Sequence, residues 1–76
     1  TKIKYSVPTA GNVKLVVYNL LGEQITTLVN GTVEPGFYTV EWNATNNFGV
    51  IFPSGIYFYR IEAGNYVNVK KMIMLK

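Results

Sequence analysis

Apolar side chains recur at every second position through most of the chain, and nowhere do they hold the i, i+3, i+4, i+7 spacing of an amphipathic helix through a full window. Ile3, Tyr5 and Val7 alternate with Lys2, Lys4 and Ser6 until Pro8 stops the run, which describes a half-buried strand. Val13, Leu15 and Val17 then share one face, and Lys14, Val16 and Tyr18 the other. Gly22 lies where a connection into "QITTLVNG" is needed, so these two segments read as a hairpin. Asn30-Gly31 and Pro35-Gly36 punctuate the next connection, because glycine takes positive φ at little cost and proline pre-sets φ for a turn. In "GFYTVEWN" Tyr38, Val40 and Trp42 fall on one face and Phe37, Thr39 and Glu41 on the other, with Trp42 the leading core candidate.

"NATNNFG" is a loop. It runs into "VIFPSG", a short extended piece that Pro53 confines to a sheet edge or bend. Asn47, Gly49, Pro53 and Gly55 suit such backbone geometry. "GIYFYRIEAG" and "NYVNVKKMIMLK" form a last pair of strands joined near Ala63-Gly64-Asn65. The pattern predicts six strands and one short edge, with turn signals about every 8–12 residues. Such spacing points to an all-β, immunoglobulin-like antiparallel β-sandwich of about seven strands, with a small barrel as the alternative.

Some of these strands are apolar on both faces. With Tyr57, Tyr59 and Ile61 directed to the core, Ile56, Phe58 and Arg60 face outward. With Val67, Val69, Ile73 and Leu75 inward, Tyr66, Met72 and Met74 face outward. Val16 and Tyr18 make a further apolar outer pair. A sandwich sheet ordinarily keeps its outer face polar, so Val16, Tyr18, Ile56, Phe58 and Tyr66 are read as a candidate docking face for an upstream domain, a second copy or another protein.

Length sharpens the demand on the core. A chain of 76 residues is a single domain that buries only about 60% of its unfolded surface, so it needs large side chains. Ten tyrosines and phenylalanines with one tryptophan predict an aromatic core. Cysteine is absent, so neither disulfides nor thiolate metal sites add stability. No window approaches a membrane span. The start at Thr1 is read as the beginning of a piece cut from a longer protein, residues 1–76 forming one domain. The net charge of +3 comes mainly from Lys2 and Lys4 near one end and Lys70, Lys71 and Lys76 near the other, a modest basic region if the first and last strands adjoin. Lysine also protects strand edges.

Catalytic chemistry is tested by subtraction. The chain has no histidine, cysteine or aspartate, so the common triads, thiol nucleophiles and histidine-containing zinc sites are ruled out. Glu23, Glu34, Glu41 and Glu62 are the only carboxylates, placed in turns or on an alternating strand rather than across a cleft. No enzyme activity, cofactor or metal is expected. Asn43, Thr45, Asn46 and Asn47 bring oxygens but no negative charge, which fits a turn better than a calcium site. The lysines are too few, and too little interleaved with exposed rings, for nucleic acid.

Taken in order, "KIKYSVP", "VKLVVYNLLGEQITTLVNG", "PGFYTVEWN", Asn47 with Gly49, "SGIYFYRI" and the lysine-bearing end "KKMIMLK" carry a family likeness across essentially the whole chain. The sequence resembles the type A C-terminal sorting domains of the type IX secretion system and the related immunoglobulin-like domain of flagellar hook-capping proteins. Where the sorting family usually has an acidic loop, this chain has Asn43, Asn46 and Asn47. The resemblance implies that residues 1–76 are a single sorting or accessory domain, the C-terminal piece of a longer secreted protein. Such a domain is non-catalytic and directs a larger cargo, a hydrolase or adhesin, through the periplasm and outer membrane of a Gram-negative bacterium to the cell surface or medium. It implies the secretion machinery and an upstream cargo domain as partners, with self-association a further partnership. It places the recognition signal on Lys70, Lys71, Met72, Ile73, Met74, Leu75 and Lys76, which read structurally as a final strand pairing with the first. The alternatives are a flagellar hook-cap scaffold domain and a carbohydrate-binding or other accessory module of a secreted glycoside hydrolase, the latter needing a flat row of rings such as Tyr18, Phe58 and Tyr66.

Overall fold

The computed structural model describes residues 1–46 and 48–75. The expectations placed on Asn47 and Lys76 lie outside the described residues. Six strands follow in order: β1 (Lys2–Val7), β2 (Gly11–Tyr18), β3 (Gln24–Val33), β4 (Gly36–Glu41), β5 (Gly55–Ala63) and β6 (Tyr66–Met74). The predicted short edge is an isolated bridge between Thr45 and Ile51. Strands β1 and β4 pair antiparallel as one sheet, and the other four form a second in the order β3-β2-β5-β6. The two sheets face one another as an all-β sandwich with the core between them.

Alternation decides which side chains enter that core. Ile3 and Val7 from β1, Val13, Leu15 and Val17 from β2, and Tyr57 and Ile61 from β5 are buried together with Trp42, Ala44 and Met74. Tyr5, Tyr38, Val40 and Tyr59 pack against them half-buried. The core is therefore mainly aliphatic, and the expectation of an aromatic one is corrected. Trp42 and Tyr57 are its two buried rings, in edge contact at 4.9 Å and 74°, whereas Phe37 is 92% and Phe48 90% exposed. Phe37 has the outward parity of β4 and Phe48 tops a loop, so neither backbone position lets its ring reach the interior.

Strand β3 departs from strict alternation through two register shifts. Leu15 pairs with Val29 but Val16 with Thr27, and Val17 pairs with Thr26 but Tyr18 with Gln24. Leu28 and Ile25 are the extra residues, and both pack against the core. Leu28 and Ile25 have opposite parity, so strict alternation would turn one of them to solvent; the two bulges let one strand bury both.

The last strand requires two corrections. β6 pairs with β5 and forms an edge of the four-stranded sheet; it does not pair with β1. Its faces are also the reverse of the expectation. Ala63 pairs with Tyr66, Ile61 with Asn68, Tyr59 with Lys70, Tyr57 with Met72 and Gly55 with Met74. Directly paired residues share a face, so Tyr66, Asn68, Lys70, Met72 and Met74 point inward, and Met74 is buried. Val67, Val69 and Ile73 lie on the outer face, and Leu75 beyond the strand is exposed as well.

Candidate functional site

Two turns at one pole of the sandwich are built alike. In the β2–β3 connection the Asn19 Oδ1 accepts hydrogen bonds from the backbone N–H groups of Leu21 and Glu23, at 3.0 and 2.9 Å. The backbone closes with Asn19 N–H to Glu23 O and Gly22 N–H to Asn19 O, both 3.0 Å. In the loop after β4 the Asn46 Oδ1 accepts from Phe48 and Val50, both at 2.9 Å, while Asn46 N–H reaches Val50 O and Gly49 N–H reaches Asn46 O. Gly22 and Gly49 supply the left-handed residue, at φ +83° and +79°. The Asn46 side-chain oxygen, one of those a calcium ion would need, is thus engaged in folding the loop. Asn43 Oδ1 likewise accepts from the Thr45 hydroxyl, and the Trp42 indole N–H donates to Thr45 O at 2.9 Å, pinning this loop to the core.

Both turns raise apolar side chains into solvent: Leu20 and Leu21 on the first, Phe48, Val50 and Ile51 on or beside the second, all more than half exposed. Strand register brings them to one pole, because Tyr18 lies opposite Phe58, Gly55 opposite Met74, and Trp42 packs on Tyr57. The amino group of Thr1 donates to Trp42 O at the same pole.

The outer face of the four-stranded sheet carries the second feature. Across the strands, Tyr18, Phe58 and Lys71 form one row, Val16, Arg60 and Val69 the next, and Ile56 with Ile73 a third. Val16 faces outward, yet neighbours cover it to 4% exposure. Arg60 is held on the face by Glu62 at 3.1 Å. A groove of about 370 Å³ runs between Tyr18, Leu20, Phe58, Arg60 and Val69, joining the sheet face to the first turn. Of the predicted docking set, Val16, Tyr18, Ile56 and Phe58 share this face. Tyr66 does not: it belongs to the inner face, and the row of rings expected for a carbohydrate binder is broken. Val69 and Ile73, expected inside, take its place.

The third feature opens between the sheets. A cleft of about 340 Å³ is lined by Tyr5, Phe37, Tyr38, Tyr59 and Tyr66 with Lys4, Lys70, Ser6, Thr39, Asn68 and Ile61. Tyr5 and Tyr38 stack across the β1–β4 ladder at 5.5 Å and 20°, and the Tyr38 hydroxyl donates to Glu34 O. Burial, and secondarily the neighbouring Tyr38, push the Tyr5 phenol above its ordinary value. No carboxylate lines the cleft among the described residues, so its two lysines make it electropositive. Sequence reasoning missed this cleft, because it depends on the inward parity of Tyr66 and Lys70. The first and last strands do not pair, yet Lys4 and Lys70 both line it.

The model of the FlgD Ig-like domain family matches residues 2–66. The chain belongs to that family. The FlgD Ig-like domain is a non-catalytic structural unit, and its two-sheet architecture here agrees with the match. The match favours the hook-capping side of the expected resemblance over the sorting domain, and it stops at the first residue of β6. Neither the curated proteins nor the solved structures hold a significant match to this FlgD Ig-like domain. Among the described residues no helix is long and apolar enough to cross a membrane.

Proposed function

We propose that the chain is a non-catalytic scaffold domain of the hook-cap type, working as an accessory domain of a larger protein and holding neighbouring protein chains through its apolar surface. The match to the FlgD Ig-like domain over residues 2–66 carries this reading. The groove between Tyr18, Leu20, Phe58 and Val69 supports it, since an apolar strip continuous from sheet face to turn is ordinary at a protein contact. The test is association of the full-length protein that contains this domain, followed by light scattering and cross-linking. Phe58→Glu and Leu21→Glu are expected to reduce association at least about tenfold, as loss of an interface anchor does, while circular dichroism of the domain stays unchanged. Undiminished association in both variants rejects the reading.

A second reading has one observation in its favour. Lys70, Lys71, Ile73 and Leu75 are exposed on or just beyond an edge strand, so a sorting signal for type IX secretion carried by them would be accessible. Fusion of the domain to a reporter in a host with that system tests it: export must fail when residues 70–76 are removed and when Lys70→Glu and Lys71→Glu are combined. Normal export of both rejects it.

A further inference from the structure

We infer that the free edge of β6, together with the aromatic cleft beneath it, takes an extended acidic peptide strand from another protein, completing the sandwich on its open side. The inference deepens the scaffold reading and rests on it for the claim that the partner is a protein. Three independent observations lead to it.

The edge is unusually regular. β6 runs nine residues in unbroken register with β5, and from Tyr66 to Met74 it has neither glycine nor proline. Alternate residues of an antiparallel edge strand turn their N–H and C=O groups away from the partner, and among the described residues no strand takes them up on this side. β3, the opposite edge, is interrupted by two bulges, which is a common way to blunt an edge against pairing.

The sandwich is incomplete beside that edge. Two strands face four, and the inner residues Tyr66, Asn68 and Lys70 line an open cleft instead of a closed core. A strand added alongside β6 would direct every second side chain over this cleft, where Tyr5, Tyr59 and Tyr66 offer apolar ring surface.

Charge selects the occupant. β6 carries Lys70 inward and Lys71 outward with no acidic residue, and Lys4 joins Lys70 in the cleft. A second copy of β6 laid antiparallel would bring like charges together near its middle, which is destabilising. A segment with apolar or aromatic side chains opposite Tyr66 and Asn68, β-branched ones opposite Val67 and Val69, and Asp or Glu opposite Lys70 and Lys71 satisfies both faces.

The experiment is a titration of the isotope-labelled domain with a nine-residue peptide, matched in length to β6, that carries two adjacent Glu residues near its middle, to lie opposite Lys70 and Lys71, flanked on both sides by Phe and Val. The same peptide with Lys for Glu, and a uronic-acid oligosaccharide, are titrated in parallel. The glutamate peptide is expected to shift the amides of residues 66–74 and the cleft residues Tyr5 and Tyr59, and to slow hydrogen exchange along β6. Its affinity should fall about tenfold or more in the combined Lys70→Glu, Lys71→Glu variant and weaken with added salt. A Lys2→Glu, Lys14→Glu control of equal net charge should bind as the parent does. Equal binding of both peptides, shifts confined to β3 or the turn pole, or oligosaccharide binding with the β6 amides unmoved overturns the inference. Failure here, with the Phe58→Glu and Leu21→Glu variants still blocking association, removes the edge site and leaves the scaffold reading intact.

Discussion

Trp42 and Tyr5 illustrate what single side chains do in a core this small. Trp42 is 1% exposed, touches Tyr57 edge-on and spends its one polar atom on Thr45 O, so it fixes both the interior and the loop above it. Its role was legible in the sequence, because alternation places it with Tyr38 and Val40 and its bulk has no other destination. Tyr5 is different: alternation gives its face, but only the fold reveals that burial and Tyr38 raise its phenol. A phenol raised in the folded state is favoured neutral, so its contribution to stability is complete below the unfolded-chain value of about 10 and is lost as pH rises through the higher folded value. Urea midpoints measured at about pH 8 and about pH 11 should therefore fall less in Tyr5→Phe than in the parent; an equal fall in the two proteins contradicts the assignment.

Elements were legible where a turn or a single apolar face set them. β1, β2, β4 and β5 follow their alternation, and the hairpins β2–β3 and β5–β6 follow their glycine turns. β3 was obscured because bulges at Ile25 and Leu28 break a period of two. β6 was inverted because both of its parities are apolar, Val67, Val69 and Ile73 against Tyr66, Met72 and Met74, so hydrophobicity gives no vote. Connection length does. With only Gly64 and Asn65 between Ala63 and Tyr66, the inward parity of Ile61 passes through Ala63 to Tyr66 and on to Met72. Asn30-Gly31, expected to punctuate a connection, instead lies within β3, and the glycines yield an element-scale prediction. A methyl group added at Gly22, Gly49 or Gly31 meets no atom within 4 Å, but Gly22 and Gly49 sit at positive φ. Denaturant melts should show Gly22→Ala and Gly49→Ala each losing about 1–2 kcal/mol from left-handed strain, with Gly31→Ala neutral or slightly stabilising.

At the scale of the whole molecule, the two sheets differ in how far apart in the chain their partners lie. β5 and β6 are joined by a two-residue turn, whereas β1 and β4 pair Lys2 with Glu41 and Val7 with Gly36. Closing that long segment costs chain entropy that only one ladder and the smaller share of the buried core repay. The two-stranded sheet should therefore open first: native-state hydrogen exchange is expected to give lower opening free energies for the amides of β1 and β4 than for β2 and β5, and uniform protection across both sheets would contradict this order. The family-level fold was readable from strand count and turn spacing, while the cleft was not, since it arises from one sheet being narrower than the other. The paired turns at the pole have a consequence of another kind. Each closes its hydrogen bonds within five residues, from Asn19 to Glu23 and from Asn46 to Val50, and the side chains of Leu20, Leu21 and Phe48 take no part in those bonds. The tips can therefore change in sequence at little expense in foldability, provided that the asparagines and glycines beneath them are kept.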